Sequence, residues 1–158
     1  MAQNRIYTVA FTEIAATAAV DFFELTPADD KPIEIMGLFL GQSTEEGDTQ
    51  SEMLPYTVIR GFTSSGTGGT STTPRSLNRS DGAAGFTAET MNTTGATTGT
   101  THTLHADAFN VMAGEKLWLP EGCEWEASQA DTTLVVRLAA APADSVTWSG
   151  TIYVREQG

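Results

Sequence analysis

The chain has 158 residues, of which 40% are apolar and 18% are charged, with eight Lys and Arg against 20 Asp and Glu. This length suits one domain, residues 1–158, with a core large enough to need no disulfide. The formal net charge of −12 disfavours nucleic acid as a partner, because phosphate contacts need clustered Lys and Arg. No stretch approaches the ~20 apolar residues of a membrane span, and the N-terminus lacks a secretory apolar segment. We therefore expect synthesis in the cytoplasm and no membrane partner.

Alternation of apolar and polar residues at period two predicts eight to ten short strands along the chain. They are drawn from residues 6–12, 20–25, 33–40, 56–60, 86–91, 101–104, 109–112, 116–119, 123–127, 134–138 and 146–154. Residues 14–20 are rich in alanine, but the β-branched and aromatic residues around them favour a loop leading into a strand over a helical turn. Short strands separated by Gly, Pro, Asp and Asn predict an all-β fold, an antiparallel β-sandwich of jelly-roll type.

Two segments interrupt this rhythm with long Gly/Ser/Thr-rich loops, near residues 63–85 and 92–101. Loops longer than about 15 residues are uncommon in compact domains. Such a composition has little apolar area with which to offset the entropy of ordering. Two interpretations stay open: both loops become ordered against a partner subunit, or both are mobile surface excursions.

Residue types that carry catalysis or bind metal are sparse. The two histidines, His102 and His105, are three residues apart, which places them on opposite faces of a strand and leaves zinc without further ligands. The lone Cys123 has no disulfide partner and is interpreted as a small strand residue. We expect no metal, no cofactor and no enzymatic activity, since the sequence also lacks a nucleophile elbow.

The carboxylates and tryptophans have ordinary interpretations as well. Residues 43–48 form an acidic turn without the pattern of a calcium loop. Glu124 and Glu126 alternate along one strand and are expected on a solvent face. Trp118, Trp125 and Trp148 could form a sugar platform, but each lies in a strand-like run, so packing in the core or in an interface is favoured.

Several stretches resemble a group of small proteins encoded among the head genes of tailed bacteriophages. The likeness extends from about Arg5 to Glu156, and it is carried by residues 29–35 (DDKPIEI), 40–42 (LGQ), 129–137 (QADTTLVVR) and 141–144 (APAD). The resemblance implies a virion structural protein, most simply a decoration or cement protein on the capsid exterior. Such proteins are often jelly-roll-like sandwiches that form trimers or dimers. The group has no active-site residues to carry over.

The partners implied are the major capsid protein and further copies of this chain, with a homotrimer favoured over a dimer. An acidic protein suits the outside of the shell better than the DNA-filled inside. Its docking face must be locally apolar or must use the scattered cations Arg60, Arg75, Arg79 and Lys116, of which Arg75 and Arg79 are favoured because they lie in the long loop.

Two other functions compete with capsid decoration. A tail- or fibre-associated module that contacts a host glycan predicts an exposed aromatic platform. A small polysaccharide hydrolase predicts a cleft with opposed carboxylates, for which Glu124 and Asp131 are candidates.

Overall fold

A computed structural model describes residues 5–44 and 51–158 of the chain. The alternating segments form strands, and no α-helix occurs in the described residues. The strands are β1 (Arg5–Ala16), β2 (Asp21–Thr26), β3 (Ile33–Gln42), β4 (Met53–Phe62), β5 (Thr70–Ser71), β6 (Arg75–Ser76), β7 (Thr87–Asn92), β8 (His102–Asn110), β9 (Glu115–Trp118), β10 (Trp125–Ala127), β11 (Thr133–Leu138) and β12 (Val146–Glu156). A single 3₁₀ turn, Gln129–Asp131, precedes β11.

The strands build two antiparallel sheets, which confirms the all-β sandwich. Sheet A has the order β10-β3-β12-β1-β6, with β9 also paired to β3. Sheet B has the order β5-β7-β2-β11-β4-β8. The first four strands alternate between the sheets, whereas β7 and β8 stay with β4 in sheet B, and the inner faces of both sheets share one apolar core. The jelly-roll part of the expectation stays a prediction.

Strict alternation explains the central strands of sheet A. Along β12 every second residue from Val146 to Glu156 is buried, and on β1 the side chains of Tyr7, Val9 and Phe11 point into the core. Fully buried Trp148 makes edge contacts with Phe22 of sheet B at 5.3 Å between ring centroids. Such aromatic packing joins the two sheets.

Some predicted boundaries differ from the structure. β1 continues to Ala16 through a bulge after Phe11, where a loop was expected, so that part of the prediction was wrong. β8 is one strand where two short ones were predicted. Cys123 is exposed in the turn before β10, where its N–H bonds to the carbonyl of Pro120, and its assignment to a strand was wrong.

Strand β2 is buried on both faces, which sequence alternation did not predict. All of Asp21–Leu25 is buried, including both carboxylates. The second face is covered by two parts of the Gly/Ser/Thr-rich loops, which we call the straps: residues 63–72 and 93–101. Isolated bridges join Ser64 to Thr97 and Thr67 to Thr94, so the straps pair with each other. Ala96 packs there on the outward-facing Val135 and on Phe62. Contacts within the chain hold the straps, so of the two open interpretations the one that requires a partner subunit for their order was wrong.

Buried carboxylates hold these loops by accepting backbone N–H groups. Asp21, 1% exposed, accepts the N–H of Ala96 at 2.8 Å and the Nε and Nη2 donors of Arg137. Glu24, 3% exposed, accepts the N–H of Gly66 at 2.9 Å and the amide of Asn92 at 2.8 Å. Charge-assisted hydrogen bonds of this kind are about twice as strong as neutral ones.

A third carboxylate does the same at the other sheet. Glu156, at the end of β12 and 1% exposed, accepts the N–H groups of Gly85 at 2.6 Å and Phe86 at 3.1 Å. The ammonium of Lys31 lies 4.0 Å from its other oxygen. Hydrogen bonds to buried carboxylates therefore hold these loops in place, although the loops have little apolar area to bury.

Replacing Asp21 with alanine tests this anchoring. The change leaves the guanidinium of Arg137 without its carboxylate and the N–H of Ala96 without an acceptor. We expect the free energy of unfolding to fall by about 3 kcal/mol, as measured by urea denaturation. The matched control is Asp29→Ala, because Asp29 is exposed and makes no ion pair with a described residue. Equal stability of the two variants would contradict the anchoring role.

Candidate binding surface

Half of the eight Lys and Arg side chains form ion pairs within the described part of the chain. Lys31, Arg60, Arg137 and Arg155 each pair with a carboxylate. Arg60 is half-buried, donates to the carbonyl of Glu126 at 2.8 Å and lies 3.5 Å from Asp131. Of the predicted partner-binding residues, Arg60 therefore serves to tie β4 to the 3₁₀ turn. The remaining cations form no ion pair among the described residues: Arg5, Arg75, Arg79 and Lys116.

Three of these four cations, Arg5, Arg75 and Arg79, lie at one edge of sheet A. We call this edge, together with Leu77, the basic edge. The short strand β6 pairs with β1, so that Arg75 stands opposite Thr8, and the N–H of Leu77 bonds to the carbonyl of Ile6. Leu77 is 59% exposed, which gives the edge an apolar centre. Sequence reasoning paired Arg75 with Arg79, but it did not foresee that β1 brings Arg5 to the same place.

The turn that carries Arg79 is closed by local hydrogen bonds. Ser76 Oγ donates to the carbonyl of Asn78 at 2.8 Å and lies 3.2 Å from a carboxylate oxygen of Asp81. Asp81, the acid beside the arginines, is thus engaged within the turn.

The opposite part of sheet A carries three outward-facing rings, of which Trp118 is exposed and the other two are half-buried. We call this group the aromatic patch: Phe39, Trp118 and Tyr153. The ring centroids of Trp118 and Tyr153 are 5.2 Å apart, and Phe39 lies 5.7 Å from Tyr153. Trp118 is 54% exposed, whereas Trp125 and Trp148 are buried. Of the two expectations for Trp118, packing in the core was wrong, because the register of β9 on β3 turns this side chain outward, and packing in an interface stays a prediction.

Glycine at position 37 makes room for the indole. Gly37 stands opposite both Trp118 and Tyr153, and a Cβ at this position would lie 2.7 Å from Cζ3 of Trp118. A glycine within a strand often marks such a close approach. The six-membered ring of Trp118 thus covers backbone and not a side chain.

Strand register connects the two patches. One cross-strand row runs Trp118, Gly37, Tyr153, Thr8, Arg75, and the next runs Lys116, Phe39, Thr151, Ala10. Neither row contains a carboxylate, although the chain has 20. Four strand spacings separate β9 from β6, or about 19 Å. These two rows are therefore acid-free, with a cation at one end of each, whereas the neighbouring row carries Glu34 and Glu126 beside Arg155.

A shallow trough lies beside the aromatic patch, with a volume of about 280 Å³. Phe39 and Lys116 line one side of it, and Ser149 and Thr151 of β12 line the floor. The hydroxyl of Thr151 and the ammonium of Lys116 have no hydrogen-bond partner among the described residues. These polar groups are available to a ligand.

The histidines are not brought together with other metal ligands. His105 Nε2 lies 3.1 Å from the hydroxyl of Tyr56, and its ring packs on Trp125. His102 is exposed. Burial, followed by the charges of Glu115 and Asp107, raises the pKa of Tyr56. Within the described ranges, no group of three or more His, Cys, Asp or Glu is placed to hold a metal ion.

Glu124 and Asp131, the carboxylates considered as hydrolase residues, form contacts that stabilise local structure. Glu124 lies 3.5 Å from Arg155, and backbone N–H donors, its own and that of Gly122, lower its pKa. Asp131 accepts the hydroxyl of Ser128 at 3.0 Å and closes the 3₁₀ turn. Most of the acidic turn at 43–48 lies outside the described residues.

No helix in the described chain has the length and apolar character needed to cross a bilayer.

Two glycine variants test how the indole is held. Gly37→Ala places a methyl group against Trp118, so we expect the indole to tilt away, acrylamide quenching of its fluorescence to rise, and stability to fall by about 1 kcal/mol. Gly41→Ala is the matched control on the same strand, because a Cβ there meets nothing within 4 Å. Quenching that is the same in both variants would show that Gly37 does not position the ring.

The described surface thus offers a basic edge and an aromatic patch on one sheet. A comparison of the chain with protein-family models, curated proteins and solved structures finds no match.

Proposed function

We propose that this chain is a non-enzymatic virion structural protein, a decoration or cement protein that binds and stabilises the outer surface of a phage capsid. The observation that carries the proposal is the basic edge, because it gathers three unpaired cations around an exposed leucine in a protein of net charge −12. The resemblance of the sequence to small head-associated phage proteins supports the capsid as the partner. The protein is made in the host cytoplasm and ends on the virion exterior.

Charge complementarity supports docking through the basic edge. The chain carries a net charge of −12, so an acidic shell would repel most of it, and the basic edge is the cluster of cations that the described residues offer to the major capsid protein. Leu77 adds apolar area at the centre of that contact, where removal from water contributes most.

Rigid straps support a binding role as well. Because the anchors of Asp21 and Glu24 hold the straps within the chain, ordering of the straps adds nothing to the entropy cost of docking. We propose a homo-oligomer, with a trimer favoured over a dimer, so that several modest contacts act together through avidity. The alternation of β1 to β4 between the two sheets supports the jelly-roll-like arrangement common in such proteins.

A second candidate function is a tail- or fibre-associated module that contacts a host glycan. The aromatic patch is the observation that favours it, since Trp118 is 54% exposed and lies beside Tyr153 and Phe39.

Charge reversal at the two ends of sheet A tests the docking edge. Arg75→Glu should weaken binding to undecorated capsids about tenfold, as measured by co-sedimentation at low salt, because a like charge then faces the acidic shell. Lys116→Glu is the matched control, since it makes the same charge change at the opposite end of the sheet, and it should bind as the unaltered protein does.

Two results would contradict the proposal. Absence of saturable binding by the unaltered protein would exclude capsid decoration. Equal weakening by both substitutions would show that overall charge, and not the basic edge, governs docking.

A further inference from the structure

We propose that the aromatic patch and its trough bind an acidic saccharide, with a sugar ring against Trp118 and Tyr153 and the carboxylate of the sugar near Lys116. This deepens the second candidate function, but it does not depend on capsid docking. The site lies about 19 Å from the basic edge, so both surfaces can be occupied at once.

An exposed tryptophan held in place is the first part of the argument. Sugars present a C–H face that packs on an aromatic ring, and Trp118 offers a ring whose position is fixed before binding. Gly37 lies beneath it, and Tyr153 and Phe39 contact it at 5.2 and 6.2 Å between centroids. All three side chains stand on strands of one sheet, so little freedom is lost on binding.

The trough supplies the polar half of the site. Its floor carries the hydroxyls of Ser149 and Thr151, and Thr12 adds another at the rim. The hydroxyls of Thr12 and Thr151 make no hydrogen bond to a described side chain or backbone group. Its volume of about 280 Å³ is just below the range of ligand pockets, and it receives the part of the saccharide that extends from the ring packed on the neighbouring Trp118.

These polar groups favour a saccharide over an apolar protein surface. A protein knob seated in the trough would remove the free hydroxyls and the Lys116 ammonium from water without giving them partners, which costs free energy. A saccharide offers hydroxyls to all of them. Its apolar face meets the rings at the same time, which is the composition typical of small-molecule sites.

Lys116 selects for negative charge. It is exposed, it has no ion-pair partner in the described part of the chain, and no carboxylate lines the trough. Lys116 and Trp118 are two residues apart on β9 and share a face, so their Cα atoms lie about 6.7 Å apart. That separation lets one uronic acid contact the indole and the ammonium together.

Trp118 also provides the readout, because it is the exposed member of the three tryptophans, all of which the structure describes. Titration with oligogalacturonate should quench its fluorescence, with a dissociation constant below about 10 mM, and neutral gluco-oligosaccharides should bind at least about tenfold more weakly. Calorimetry should show that Trp118→Ala and Lys116→Glu each weaken oligogalacturonate binding about tenfold. Arg75→Glu is the charge-matched control and should leave it unchanged.

Three outcomes would overturn the inference: no binding of oligogalacturonate up to about 10 mM, equal binding by the Trp118→Ala variant, or equal affinity for neutral and acidic chains. Light scattering provides a further check, since self-association lost in Trp118→Ala would assign the patch to a second copy of the chain instead. Capsid co-sedimentation by Trp118→Ala should stay normal, so failure of the saccharide site and failure of capsid docking are distinguishable.

Discussion

Burial of the β2 carboxylates is the interaction on which the rest of the structure depends. In a two-layer sandwich the outer face of β2 would be in water, and Asp21 and Glu24 would be ordinary surface acids. Here both are buried, and each receives backbone N–H groups from a strap. Burial of a carboxylate without hydrogen-bond partners costs several kcal/mol, so the fold is stable only if the strap N–H groups and Arg137 contact these carboxylates. The same contacts hold the straps in place.

This arrangement decides which surfaces are available. The straps cover the outer face of sheet B at β2 and β11, around Val135, Phe62 and Ala96, and they leave the outer face of sheet A uncovered. There, two cross-strand rows lack acids, with Arg75 at one end and Lys116 at the other. The proposed capsid contact and the proposed saccharide site both belong to this open face, at its two ends.

Sequence periodicity predicted the parts of the fold that have one buried face. β12 and the first half of β1 alternate strictly, and their buried residues are the ones the pattern indicates. β2 gave a mixed pattern because it is buried on both sides. The straps were beyond prediction, since Asp21 and Ala96 are 75 residues apart and Glu24 and Gly66 are 42 apart. The Thr/Gly composition indicates only that these segments have little apolar area to bury. It does not show that buried carboxylates elsewhere in the chain hold them by hydrogen bonds.

The candidate binding surface was also predicted only where its residues are close in sequence. Arg75 and Arg79 were found because they are close in sequence, whereas Arg5 reaches them through the pairing of β1 with β6. The exposure of Trp118 depends on the register of β9 against β3, since a shift of one residue would turn it inward.

Amide hydrogen exchange on the isolated protein tests the central account most directly. If the buried carboxylates order the straps within one chain, the N–H groups of Gly66 and Ala96 are protected to nearly the same degree as the amides of β11, without capsid or ligand. Exchange of these two amides at the rate of an unstructured peptide, with β11 still protected, would contradict the account.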